Sequence, residues 1–160
     1  MKIKSMTAAI LEHLNQPLVV DSVELPDNLD FGQVLVQIHY SGICGSQLGE
    51  LTGVKGSDPY LPHLLGHEGS GIVIETGLNV TKVKSGDHVV LHWRPGEGIQ
   101  SQTPKYKWRT KTLNAGYVTT FNDYAVVSEN RLTPIPKKYP LDLAPLYGCA
   151  VTTGFGVIEN

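Results

Sequence analysis

Cysteine is nearly absent from this chain: two residues, Cys44 and Cys149, in 160. So few thiols exclude a disulfide-stapled scaffold, and no Cys-x-x-Cys pair is present to build a finger-type zinc site. Charge of one sign is lacking too. Thirteen Lys and Arg stand against 15 Asp and Glu, for a net charge of −2. That balance gives no electrostatic reason to expect nucleic acid or an anionic membrane as partner. No run approaches the ~18 apolar residues of a membrane span. The first residues, Met1-Lys2-Ile3-Lys4-Ser5, lack the apolar core of a secretion signal. Unpaired cysteines fit a reducing compartment, so a cytoplasmic protein is expected.

Turn-forming residues are plentiful. Seventeen glycines and ten prolines in a chain 41% hydrophobic point to many short strands in one globular domain. Residues 6–25 read as a hairpin, with Asn15-Gln16-Pro17 as its turn cluster. Val34 to Tyr40 is a strand apolar enough to be buried on much of both faces. Gly71 to Thr76, His88 to Trp93 and Phe121 to Val127 are further strands, the last continued by Arg131 to Pro136. Gly53 to Tyr60 and residues 94–119 read as loops. Short helices are expected over Asp142 to Tyr147 and from Thr152 onward. His39 reads as a structural strand residue and His63 as a surface residue.

Three places carry chemistry. Gly66-His67-Glu68-Gly69 sets an imidazole and a carboxylate just before an apolar run. That suits a strand whose start presents a metal ligand, though an ordinary polar turn has the same composition. Cys44 and Cys149 each sit among glycines. Two thiolates and one imidazole form one of the three-ligand sets of a catalytic zinc, with the fourth position left for water or substrate. The alternative for two lone cysteines is buried, inert thiols. Gly96-Glu97-Gly98 is not a nucleotide loop, since Ser101 stands where a third glycine belongs. The run Lys105-Tyr106-Lys107-Trp108-Arg109-Thr110-Lys111 reads as a solvated or substrate-facing surface, with contact to an anionic substrate group as a minority reading.

Gly66-His67-Glu68, with Gly71, Gly77 and Val80, resembles the signature of the zinc-containing medium-chain alcohol dehydrogenases. Ser41-Gly42-Ile43-Cys44-Gly45-Ser46 resembles that family's first ligand segment, and Gly148-Cys149-Ala150 its third. The resemblance implies a mainly β, GroES-like, partly open barrel with short helices over 1–145. Residues 146–160 would begin the helical link to a dinucleotide-binding domain not present in these 160 residues. It implies one catalytic zinc on Cys44, His67 and Cys149, with Glu68 as a neighbouring or occasional displacing ligand. Ser46 would pass the substrate proton outward. The expected reaction is reversible oxidation of a small-molecule alcohol to aldehyde or ketone, by a dimeric or tetrameric parent, with NAD or NADP bound mainly by the other domain. A stand-alone zinc-binding or assembly module without catalysis is the alternative. The chain departs from the pattern after Cys44: Gln47 replaces an Asp that orients the zinc-ligand imidazole, and Gly49 replaces a relay His. The family's four-cysteine lobe for a second zinc is missing, so the 94–119 segment is expected to be held by packing of Tyr106, Trp108 and Tyr117. The resemblance puts Trp93 at a pocket-wall position, with packing alone as the equal alternative for a Trp at a strand end.

Overall fold

The computed structural model of the protein describes residues 1–159; Asn160, which closes the expected link segment, lies outside them. Strand β1 (Ser5–Leu11) alternates exposed and buried residues, with Met6, Ala8 and Ile10 inward, as a half-buried strand must. It pairs antiparallel with β2 (Val19–Glu24), so the expected hairpin is present. Asn15, at φ 60°, turns the chain between them. Next come β3 (Gln33–Ser41), helix α1 (Gly45–Leu51), β4 (His63–Leu64), β5 (Glu68–Thr76) and β6 (His88–His92). Strands β7 (Tyr106–Trp108), β8 (Lys111–Leu113), β9 (Tyr124–Ser128) and β10 (Leu132–Ile135) follow, and helix α2 (Ala150–Glu159) closes the chain.

Two five-stranded antiparallel sheets result, ordered β4-β1-β2-β7-β8 and β10-β6-β5-β3-β9. Backbone bonds stitch them together: Ala9 donates to Phe121 O at 2.8 Å, Asp123 to Thr7 O at 3.0 Å and Ile38 to Asp123 O at 2.8 Å. Beyond β1, β4 is bridged to Asn114 at the end of β8, Leu64 donating to Asn114 O at 3.0 Å, while β9 and β10 have one ladder partner each, so the mainly β barrel is nearly closed. One core cluster joins Met6, Ile10, Val23, Leu35, Tyr106 and Trp108; the second joins Val34, Val36, Val73, Val89, Leu91 and Val127. Fully burying each such side chain is worth about 1.5–3 kcal/mol.

Several expectations are corrected. Residues 94–119 are not one loop: β7 and β8 form a hairpin turning at Arg109 (φ 56°) and joined to β2 through Glu24 and Lys107. Tyr106 and Trp108 are fully buried there, but Tyr117 is half exposed and is replaced in the packing by Leu113. The charged residues of the basic run are exposed as expected, Arg109 pairing with Asp21 at 2.9 Å and Lys111 with Glu12 at 3.0 Å, while its two aromatics turn inward. His63 is not a surface residue; it lies in β4 and bonds Asp58 at 3.0 Å. The helix expected at Asp142 to Tyr147 is a 3-10 turn over Ala144–Gly148. Helix α1 was unexpected, its sequence being too rich in glycine to show a helical period.

Candidate metal centre

Three chain segments converge at the ends of β3 and β5. Strand β3 runs out through Ser41-Gly42-Ile43 into Cys44, which stands at the N-cap of α1. His67 immediately precedes β5 and is delivered by Gly66, at φ +91°. A Cβ on Gly66 would fall 2.2 Å from Thr120 Oγ1, so only glycine fits that turn. Cys149 arrives from the far end of the chain, between the 3-10 turn and α2. Gly148 lets it approach: a Cβ there would lie 2.4 Å from Leu91 O and 3.0 Å from Glu68 Cα.

The ligand atoms of Cys44, His67 and Cys149 all lie within 4.8 Å of one another. The two sulfurs are 3.9 Å apart. His67 Nδ1 faces the Gln47 side-chain amide, while its Nε2 is buried with no hydrogen-bond partner. A buried orphan nitrogen is costly unless something fills its coordination. Two sulfurs and one imidazole around it match the donor set and open fourth position of a zinc site. The residues therefore fit a zinc ion.

The electrostatics differ from ligand to ligand. The Ser46 hydroxyl, and after it the Ser46 backbone N–H, favour the thiolate of Cys44 and hold it below the ordinary thiol range. Burial pushes the Cys149 thiol up. Burial pushes His67 down, against the partial opposition of Glu68 and Glu50. Ser46 Oγ is buried and makes no hydrogen bond of ordinary geometry, although it lies close enough to Cys44 to influence it.

Glu68 stands outside the three-ligand group. It is buried, and its Oε2 accepts the backbone N–H of Ala150 at 3.3 Å, anchoring the start of α2 beside Cys149. His63 stands four positions before His67, but both its nitrogens are engaged, by Leu64 O at 2.9 Å and Asp58 at 3.0 Å. Thr153 was missed in the sequence; its Oγ1 lies 3.7 Å from Cys149 Sγ, one helical turn on. Beside His67 and Gln47 opens a cleft of about 580 Å³, lined also by Lys55, Lys105, Asn114 and Tyr117. That is ample for a small-molecule substrate. Trp93 is half exposed and does not line this cleft.

The family described as "Alcohol dehydrogenase GroES-like domain" matches residues 30–137. The chain is similar to an alcohol dehydrogenase class-3 of Dictyostelium discoideum, at 32% identity over 99% of the chain and 48% of the relative. It is also similar to an S-(hydroxymethyl)glutathione dehydrogenase of Paracoccus denitrificans, at 32% identity over 96% of the chain and 47% of the relative. Among solved structures, an alcohol dehydrogenase zinc-binding domain protein of Burkholderia ambifaria superposes with a TM-score of 0.85 at 26% identity, over 98% of the chain and 49% of its own. Benzyl alcohol dehydrogenase of Acinetobacter calcoaceticus does so with a TM-score of 0.81 at 27% identity, over 99% and 48%. The chain spans about half the length of the curated relatives it matches.

Proposed function

The chain belongs to the alcohol dehydrogenase GroES-like domain family, and from that membership we propose that it is the catalytic half of a zinc-dependent, NAD(P)-linked alcohol dehydrogenase. The observation that carries the reading is the convergence of Cys44, His67 and Cys149 around a partnerless His67 Nε2. Zinc bound there supplies Lewis acidity toward the oxygen of an alcohol or carbonyl substrate.

The chain's own residues do the rest. Cys44, His67 and Cys149 hold the ion, and Gln47 orients the His67 ring. The cleft beside His67 receives the organic part of the substrate, with Tyr117 as one wall. Ser46 Oγ, buried and with donor and acceptor capacity to spare, takes the hydroxyl proton of the alcohol and passes it outward. With glycine at position 49, that proton leaves to water. NAD or NADP, held mainly by a dinucleotide-binding domain outside these 160 residues, would serve as hydride acceptor, and residues 1–145 would form the catalytic domain that faces it.

Cobalt(II) substitution tests the reading. The expected result is a tetrahedral cobalt spectrum with sulfur-to-metal charge-transfer bands, lost in Cys44→Ser and perturbed by an added alcohol. A spectrum without thiolate charge transfer would overturn it.

A further inference from the structure

Gln47 is 2% exposed and wedged between two of the three ligands. Its Oε1 accepts the backbone N–H of Cys44 at 3.2 Å, and its Nε2 faces Nδ1 of His67. A primary amide offers one acceptor oxygen and one donor nitrogen. When the amide nitrogen donates to Nδ1, that ring nitrogen holds a lone pair. The single proton of the neutral imidazole is then on Nε2. Nε2 is the nitrogen left without a partner in the centre, and with the proton on it the ring cannot ligate a metal until that proton moves. Ligation needs the proton on Nδ1, and a proton on Nδ1 needs an acceptor. Turning the amide over supplies one, but it sets the amide N–H group against the Cys44 N–H, donor against donor. The oxygen has two lone pairs, but the amide turns its oxygen to one partner and its nitrogen to the other, so the oxygen cannot face both.

We propose that Gln47 controls whether the centre takes up metal, by holding His67 in the Nε2–H tautomer until the amide gives up the Cys44 N–H. This rests on the metal-centre reading above. Gln47 is a positioning residue, acting through His67. Metal uptake requires the ring proton to move from Nε2 to Nδ1 and the amide oxygen to change partner, while the Cys44 N–H goes unpaired or to water. A carboxylate on the same stem removes the conflict, because its two oxygens accept from Cys44 N–H and His67 Nδ1–H together. Groups that orient a metal-bound histidine change metal affinity about 10–100-fold, and Gln47→Glu is expected to tighten zinc binding within that range.

Two measurements on the whole chain test this. Nitrogen-15 NMR of the metal-free wild type, at a pH where the ring is neutral, reads the His67 tautomer directly. Nε2–H in the wild type and Nδ1–H in Gln47→Glu are the expected pair; Nδ1–H already in the wild type overturns the proposal and needs no variant to fold. Competition against a chromophoric chelator reads the zinc affinity of wild type, Gln47→Glu and Cys44→Ser. Tighter binding by Gln47→Glu supports the proposal, and equal or weaker binding overturns it. If wild type and Gln47→Glu both bind no better than Cys44→Ser, the metal-centre reading itself has failed, and the proposal with it.

Discussion

Glu129 accepts the backbone N–H of Ile99 at 2.9 Å through one carboxylate oxygen, and its other oxygen takes the N–H groups of Thr81 at 2.6 Å and Lys82 at 2.8 Å. One buried carboxylate thereby ties three stretches of chain together, including the 94–119 segment at Ile99. Arg131 adds to the tie by donating to Trp93 O and, at 2.9 Å, to Gln100 Oε1, with its guanidinium over the Tyr117 ring. Hydrogen bonds to a charge anchor this segment.

Glu129→Gln should therefore be destabilising at neutral pH by about 1.5–3 kcal/mol, the usual worth of hydrogen bonds to a charged group. Burial raises the Glu129 pKa, but the N–H groups of Lys82, Thr81 and Ile99 outweigh it and hold it below its ordinary 4.5. A carboxylate lowered on folding contributes stability above its unfolded pKa and loses it as pH falls through the folded value. Urea unfolding of wild type and variant should show a gap that is full at pH 7 and narrows below pH 4.5. A constant gap would mean that packing, not charge, is what Glu129 supplies.

Trp108 is fully buried and donates its indole N–H to Asp21 Oδ2 at 2.9 Å. Trp108→Phe keeps most of the packing and loses the bond, for about 1 kcal/mol. Trp108→Ala opens a cavity between β7 and β2 and costs about 3–5 kcal/mol. Thermal unfolding of the pair, at matched concentration, separates the two contributions.

Metal analysis should give one zinc per chain. Only two cysteines exist, both in the centre, and residues 94–119 contain neither cysteine nor histidine. Cys44→Ser should abolish tight binding. Two equivalents surviving dialysis against a weak chelator would mean that a second site has been overlooked.

Gly148→Ala should weaken that zinc by at least about tenfold while leaving the barrel folded. Its new methyl group would meet Leu91 O at 2.4 Å, so the segment carrying Cys149 must lift off β6. Chelator competition measures the loss, and far-ultraviolet circular dichroism checks the fold. Unchanged affinity would show that Cys149 is not held by this contact.

The 160 residues should bind no NAD(H) at micromolar concentration. They hold no Gly-x-Gly-x-x-Gly turn, and the ladders of the described sheets are antiparallel, whereas a dinucleotide crevice needs parallel strand-helix-strand units. Saturable heat in a calorimetric titration would reject this.

Sequence by itself determined what local chemistry can encode. The apolar, β-rich run from Thr7 to Leu11 marked β1, and the apolar stretch from Val34 marked β3, because such residues fit a pleated, buried surface. Composition left inert thiols and a polar turn open as readings, and Cys44, His67 and Cys149 were legible as a ligand set through the resemblance of their segments to the zinc alcohol dehydrogenase pattern. Tertiary structure decided the rest, where the cause lies far off in the chain. Strands β7 and β8, three residues each, are too short to show a period and exist because Tyr106 and Trp108 find a core built by β1 and β2. Two cations of the basic run, Arg109 and Lys111, found Asp21 and Glu12, nearly ninety or more positions upstream. Nothing local to Glu129 in the sequence points to the three distant N–H groups that close on it. Gln47 looked like a weaker acceptor; only folding shows that its one oxygen is already taken by Cys44, since hydrogen-bond capacity is local but the claims on it are not.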